Sequence, residues 1–216
     1  MHFIYMKEEK MKTLRKPLCL VLVFLCTALA FGGTIKDYSA EQVDVKSNRV
    51  IGKLYATDSK FRMELYDENG KLESFIIVRR DQKKMYAFEE ENKTYMEFPM
   101  TGNNTSIYDS ITSMGQGFGI IPEIKREKEG TETVGGYSAD KFRTTTTIDF
   151  FGQKQITTVY EWIAAEFDLP VRTQTDDITI EMRNITTTAP AASLFEIPAG
   201  YSSMGNFMDL LKIFGQ

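Results

Sequence analysis

Hydrophobic and polar residues alternate with a period of two along most of the chain, and this pattern predicts half-buried β-strands. The clearest case is the segment 60–66, which reads Lys-Phe-Arg-Met-Glu-Leu-Tyr. Its apolar face carries Phe61, Met63 and Leu65. Asn69-Gly70 follows, and because both residues tolerate positive φ, this pair predicts a tight hairpin into a second strand at 72–80.

The same alternation recurs on both sides of a central interruption, with polar turns between the apolar stretches. The threonine run at 144–147 fits this pattern, because β-branched side chains pack well on a pleated surface. The sequence therefore predicts a mainly β (α+β) fold with about ten or eleven antiparallel strands. Besides the two strands above, they are expected at 42–47, 50–57, 84–88, 93–98, 124–134, 137–148, 155–163, 169–175 and 178–187.

Residues 99–122 interrupt the alternation, and the stretch 105–114 within them has a mild helical periodicity. Alternate glycines at 115–119 superficially match a phosphate-binding loop. Such a loop needs a preceding strand and a following helix, whereas Pro122 and a charged strand follow here. We therefore expect a connecting segment and no nucleotide site.

The end of the chain predicts a helix at 203–214, with Ser202 or Ser203 as its N-cap. Its apolar residues cover more than one helix face, so the helix is expected to lie in a groove or against a partner. Phe207 and Leu211 in this helix, and Phe118 in the central interruption, are candidate lid residues.

The first thirty residues have the layout of a secretory signal peptide, in which basic residues precede an apolar run at 18–25. Ala28-Leu-Ala30 matches an Ala-x-Ala cleavage site. A spanning helix needs about 20 apolar residues, so a cleaved signal is expected and no stable membrane span. We predict a signal peptide at 1–30 and a single domain at 31–216, periplasmic or secreted.

Cleavage after Ala30 removes the only histidine, His2, and both cysteines, Cys19 and Cys26. The exported chain then lacks the groups for Ser-His-Asp or Cys-His catalysis, ordinary zinc binding and disulfides. It keeps 21 basic and 28 acidic residues, a formal net charge of −7, which disfavours nucleic acid as a partner. We expect no catalytic residue, no metal and no cofactor.

The remaining acidic clusters, 89–91 and 176–177, lie at predicted turns. A pair of carboxylates can hydrolyse glycosides, but clusters at hairpin tips are usually solvated. A carboxylate hydrolase is therefore the least favoured of three functional hypotheses.

Two interpretations of the apolar strand positions stay open. They form either an ordinary sheet core or a face that accepts a ligand, and the abundance of flexible methionines favours the ligand. Arg62 likewise is either a surface ion pair or a latch that holds a lid over an apolar groove. The candidate ligand-binding residues are Phe61, Met63, Leu65, Phe75, Ile77, Met96 and Phe98.

A series of short motifs, in a fixed order over residues 40–201, resembles an uncharacterised family of secreted bacterial and archaeal proteins. That family looks related to the outer-membrane lipoprotein carrier (LolA-like) and mycobacterial LppX-like superfamily. The motifs are Gly52-Lys-Leu-Tyr, Lys60-Phe-Arg-Met-Glu64, Ile77-Val-Arg-Arg-Asp81, Met85-Tyr86, Lys93-Thr-Tyr-Met-Glu97, Gly130-Thr-Glu-Thr-Val-Gly-Gly-Tyr-Ser-Ala-Asp-Lys-Phe142, Glu161-Trp162, Leu169-Pro-Val-Arg172 and Phe195-Glu-Ile-Pro-Ala-Gly-Tyr201.

The resemblance implies a half-open antiparallel β-barrel with short helices covering its concave face. It also implies a hydrophobic ligand on that face: a hydrophobic small molecule, a lipid or acyl chain, or a lipoprotein. Residues 35–40 leave little room for the long first helix of the carriers, which separates this chain from them. The favoured hypothesis is a non-catalytic carrier or binding protein. The alternative is an envelope interaction or sensor domain with a filled core and no ligand.

Overall fold

The computed structural model describes residues 34–100, 123–150, 153–167 and 169–206, and most of them lie in twelve strands. Alternating apolar residues set the strands, and turn residues such as Asn69-Gly70 separate them. In chain order the strands are β1 (Tyr38–Asp44), β2 (Arg49–Ala56), β3 (Lys60–Tyr66), β4 (Leu72–Arg79), β5 (Lys84–Glu89), β6 (Thr94–Pro99), β7 (Glu123–Val134), β8 (Tyr137–Phe150), β9 (Gln153–Ala164), β10 (Arg172–Gln174), β11 (Thr179–Thr186) and β12 (Ser202–Asn206).

These strands form one sheet in the order β12-β6-β5-β4-β3-β2-β1-β11-β10-β9-β8-β7, which does not close on itself. Every pairing is antiparallel except that of β12 with β6. The predicted mainly β, antiparallel fold is confirmed, and the described residues form twelve strands, against an expected ten or eleven. The expected helices over one face are not found in the described residues, whose helical elements are two 3₁₀ turns, Arg80–Gln82 and Ala192–Phe195.

Strand β1 joins the two halves of the sheet, because it pairs with β2 on one side and with β11 on the other. The N-terminal half is thus a meander from β1 to β6, and the C-terminal half runs from β11 to β7. The segment before β1 reaches the C-terminal half as well, since Ile35 N donates to Glu166 O at 2.8 Å.

The predicted helix at 203–214 is corrected over its described part, because Ser202–Asn206 is a strand. Ser202 N donates to Lys93 O at 2.8 Å, and β12 then runs parallel to β6. As a strand, this segment forms backbone hydrogen bonds with the free edge of β6, which it could not do as a helix. Gly205 also has a φ of +96°, which lies outside the helical region. Residues 207–214 of the predicted helix lie outside the described residues.

Side chains of successive strand residues point to opposite faces of the sheet, which allows the two faces to be defined by β3. The Met63 face contains Phe61, Met63 and Leu65 and continues through their cross-strand partners. The Arg62 face contains Arg62 and Glu64. Both faces of β3 are buried, so this strand is covered on both sides.

Gly52 on β2 shows how closely the strands approach on the Met63 face. A Cβ atom on Gly52 would lie 2.6 Å from Glu64 O and 2.7 Å from Gln42 Oε1. Both distances are shorter than a carbon–oxygen contact allows, and the carbonyl of Glu64 is fixed by the sheet.

We expect Gly52→Ala to lower the free energy of unfolding by about 1–3 kcal/mol, the usual penalty for forcing extra volume into a packed site. Urea denaturation measures the change. Lys53→Ala, which alters the more exposed neighbour, should change stability by less than about 1 kcal/mol. Equal midpoints for wild type and Gly52→Ala would show that β2 and β3 tolerate a wider separation here.

Candidate functional site

The candidate ligand-binding residues divide between the two faces of the sheet. Phe61 and Met63 pair with Val78 and Ile76 on β4, and both pairs belong to the Met63 face. On the next strands, Met85 pairs with Phe98 and Ala87 pairs with Met96 on the same face. The structure therefore brings five of the seven candidates together. They are Phe61, Met63, Leu65, Met96 and Phe98.

The other two candidates, Phe75 and Ile77, lie on the Arg62 face, because they pair with Glu64 and Arg62. The prediction that all seven share one face is thus wrong. The run from Phe75 to Val78 is apolar at every position and buried on both sides, so its sequence gives no sign of which residues face which way.

The segment that covers Phe75 and Ile77 is the C-terminal strap, which we define as residues 191–206. Phe195 of the strap is fully buried in a cluster with Phe75, Ile77 and Phe88. The rings of Phe75 and Phe88 stack with centroids 4.3 Å apart, and Tyr201 meets both edge-on. These aromatic contacts close the Arg62 face over β3 to β6.

Arg62 holds this strap to the sheet, and its side chain is buried with a relative exposure of 7% for the residue. Its Nε donates to Glu64 Oε1 at 2.8 Å, and its Nη1 donates to Leu194 O at 3.0 Å. The guanidinium also lies 4.1 Å from the ring centroid of Phe75. Arg62 therefore acts as an anchor on the face opposite Met63, which differs from a latch over the apolar groove.

Glu64 is held from a second side by Tyr66, whose hydroxyl donates to Glu64 Oε2 at 2.6 Å. Burial, followed by the hydrogen bond to Glu64, raises the pKa of Tyr66 well above its ordinary value. The phenol therefore stays protonated and keeps donating at any ordinary pH.

A second arginine, Arg79, strengthens the attachment of the strap. Its Nη1 donates to Glu196 Oε1 at 2.9 Å, and its Nη2 donates to Asp81 Oδ2 at 2.8 Å. The hydrogen bond from Arg79 lowers the pKa of Asp81, so this carboxylate remains charged at neutral pH. Arg62 and Arg79 together fix the first turn of the strap by its carbonyls and by Glu196.

A polar group that the sequence analysis did not select lies in the C-terminal half of the sheet. Glu161 on β9 is completely buried, and Thr144 Oγ1 donates to its Oε2 at 2.6 Å. Arg126 Nη2 lies 3.7 Å from the same oxygen, and its guanidinium lies 4.1 Å from the ring centroid of Phe142. Burial raises the pKa of Glu161 to about 7, against the opposing effects of Thr144 and Arg126.

The sequence around Glu161 does not reveal its burial, because apolar residues occupy both faces of this strand. Glu161 shares a face with Val159, whereas Tyr160 lies on the other, and only strand pairing shows that the Glu161 side chain is buried. The neighbouring Trp162 faces the other way, where Lys141 Nζ and the Arg172 guanidinium lie 5.1 Å and 5.2 Å from its ring centroid.

The remaining candidate lid residues, Phe118, Phe207 and Leu211, lie outside the described residues. Within the described ranges, no group of three acidic, histidine or cysteine side chains is arranged to hold a metal ion. Across the same ranges, no helix combines the length and apolar character needed to cross a bilayer.

The chain belongs to a family described as a domain of unknown function (DUF4412), whose model matches residues 41–164. The predicted resemblance to an uncharacterised family is thereby confirmed. Among curated proteins, none matches this chain.

Several solved crystal structures are similar to this fold. One is an uncharacterized conserved protein from Thermus thermophilus, with a TM-score of 0.47 and 12% identity over 88% of this chain and 99% of that one. The lipoprotein LppX from Mycobacterium tuberculosis has a TM-score of 0.35 and 12% identity over 81% and 98%. LprF from Mycobacterium bovis has a TM-score of 0.30 and 14% identity over 84% and 96%.

Proposed function

We propose that this protein is a non-catalytic binding or carrier protein for a hydrophobic ligand, exported to the periplasm or secreted. The ligand is a lipid, an acyl chain or the acyl part of a lipoprotein. The observation that carries the proposal is the asymmetry of the N-terminal half. The C-terminal strap covers the Arg62 face with specific polar and aromatic contacts, while the Met63 face is lined by aliphatic, aromatic and thioether side chains that pack with apolar residues of the C-terminal half such as Phe167 and Val171.

Methionines make the Met63 face suited to an apolar guest. Met63 and Met85 are buried there, Met96 lies half-buried beside them on β6, and Met100 follows at the end of that strand. Unbranched thioether side chains change rotamer at little expense, so a surface of this kind adapts to chains of different shape. Covering a side chain that is otherwise exposed contributes about 1.5–3 kcal/mol, so a ligand gains from covering the half-buried Met96 and gains little from Met63 and Met85, which are already buried.

A second candidate function is supported by the burial of the same side chains. Phe61, Met63 and Leu65 are already withdrawn from solvent without a ligand. A filled core of this kind fits an envelope interaction or sensor domain. The two functions differ in whether an apolar molecule is taken up against β6, where Met96 and Phe98 are only half-buried.

We expect Phe98→Ala to weaken binding of an apolar probe about tenfold, because a ligand on the Met63 face loses most of one aromatic contact. The probe is a pyrene-labelled fatty acid methyl ester, followed by fluorescence titration. The protein is expressed from residue 1 and purified as the host processes it. The matched control is Tyr95→Ala, which removes a half-buried aromatic ring from the Arg62 face of the same strand.

Binding that weakens in Phe98→Ala and stays within about twofold of wild type in Tyr95→Ala supports the carrier function. Urea denaturation of both variants shows whether they remain folded. No measurable uptake by the folded wild-type protein would overturn the carrier function and favour the filled-core domain.

A further inference from the structure

The Met63 face changes character from one half of the sheet to the other. Glu161 on β9 pairs with Thr173 on β10, and Thr173 pairs with Ile180 on β11. Met182, two residues along β11, pairs with Gln42 on β1. Alternation therefore places Glu161 and Thr173 on the same face as Gln42.

Gln42 connects this row to the N-terminal half. It pairs with Gly52 on β2, which pairs with Leu65 on β3, a residue of the Met63 face. The Met63 face is thus mainly apolar over β2 to β6, whereas around Glu161 buried polar residues stand among apolar ones such as Val159. The buried polar residues on its second half are Thr144, Thr146, Glu161 and Thr173, with Gln42 between the halves.

The two carboxylate oxygens of Glu161 differ in their hydrogen bonding. Its Oε2 accepts from Thr144 and lies near Arg126, whereas its Oε1 is buried without a hydrogen-bond partner among the described residues. Gln42 Oε1, on the same face, is also buried without one among those residues. A buried acceptor that lacks a donor is rare in native proteins and calls for a water molecule or a ligand.

The groups around Glu161 restrict what can bind to it. From β7 it is approached by the cationic Arg126, from β8 by Thr144 and Phe142, and from β10 by Thr173. Nearer the exposed edge, Lys128 and Asp140 form an ion pair with each other at 2.6 Å. The groups that surround Glu161 are therefore the four named above. Arg126 disfavours a cationic group beside Glu161, and above about pH 7 the ionised carboxylate of Glu161 disfavours an anionic one.

We propose that Glu161 and Thr144 form the binding site for the head of an amphiphile, and that this head is uncharged and carries a hydroxyl group. The hydroxyl donates to Glu161 Oε1, and the apolar chain of the ligand extends along the Met63 face toward β2 to β6. This inference rests on the proposed carrier function and names the class of its ligand. A long-chain alcohol or a monoacylglycerol has this chemistry, and a fatty acid does not.

The test compares three pyrene-labelled probes that share one chain and differ in the head: an alcohol, a methyl ester and a carboxylic acid. At pH 8, wild-type protein should bind the alcohol about tenfold more tightly than the ester, which has no donor for Oε1. Glu161→Leu should remove this preference and leave ester binding unchanged. Glu161→Gln keeps an acceptor oxygen but no charge, so it should keep alcohol binding and bind the acid several-fold more tightly than wild type does.

The outcomes separate this inference from the function on which it rests. Equal binding of alcohol and ester by wild type, with no change in Glu161→Gln, overturns the head-group site and leaves carriage intact. In that case Glu161 Oε1 holds an internal water. Binding of none of the three probes overturns both proposals. Should Glu161→Leu fail to fold, the affinity of Glu161→Gln for the carboxylic acid probe still decides whether the head-group site exists.

Discussion

Replacing Glu161 by glutamine is expected to remove a pH dependence of stability that wild-type protein shows between about pH 4.5 and pH 7. The folded-state pKa of Glu161 is raised to about 7 from an ordinary value of 4.5, mainly by burial. In this interval the native protein keeps a proton that the unfolded chain has released, so its stability falls as the pH rises. The loss is complete above pH 7 and amounts to about 3 kcal/mol.

The measurement is urea denaturation of wild type and Glu161→Gln at pH 4.5, 6 and 8. Other carboxylates, such as Asp81 and Asp67, have lowered pKa values and act in the opposite direction as the pH falls. The difference between the two proteins isolates Glu161. Glu73→Gln is the control, because it removes an exposed carboxylate. Its free energy of unfolding should differ from that of wild type by the same amount at all three pH values. A constant difference between wild type and Glu161→Gln at all three pH values would show that Glu161 does not titrate in this range.

Arg62→Ala is expected to lower the free energy of unfolding by about 3–5 kcal/mol, because it leaves the buried carboxylate of Glu64 without its cation. It also removes the hydrogen bond to Leu194 O and the contact with Phe75. The stability of Arg62→Lys should lie between those of wild type and Arg62→Ala, since an ammonium keeps the charge but cannot reach both Glu64 and Leu194 O. Urea denaturation gives the size of the loss.

Hydrogen exchange shows whether Arg62 anchors the strap in particular. In Arg62→Ala, amides of residues 191–206 should exchange faster than those of β8 and β9, because the strap loses a direct contact with Arg62 whereas β8 and β9 have none to lose. Arg49→Ala is the control, since Arg49 donates to one carbonyl, that of Asp67, at 3.2 Å. A destabilisation below about 1 kcal/mol, or unchanged exchange in the strap, would contradict the anchoring role of Arg62.

The alternation of residues predicts most strands correctly because a half-buried strand needs one apolar face, and that need is local. The hairpin at Asn69-Gly70 is predicted for the same reason, since positive φ at Gly70 is a local requirement. β1 and β12 are harder to predict. β1 begins at Tyr38, before the predicted strand, and β12 forms only because β6, far earlier in the chain, offers a free edge.

The candidate site is only partly readable from the sequence, because register decides which face a residue joins. Phe61 and Met63 alternate with charged residues, so their common face is evident. In β4 every residue from Phe75 to Val78 is apolar, so the sequence does not show which of them share a face. Only the pairing of Phe75 with Glu64 places the Phe75 ring under the strap. Glu161 was missed because a carboxylate in a strand is normally solvated, and its burial follows from pairing with β8 and β10.

Mass spectrometry of bound lipid shows directly whether the Met63 face takes up an amphiphile. The protein is incubated with total lipid extract of its host, purified again without detergent and extracted with organic solvent. We expect about one hydroxyl-bearing amphiphile per chain in the extract of wild type, and much less in that of Phe98→Ala. An extract of folded wild-type protein with no lipid above the Phe98→Ala level would contradict it.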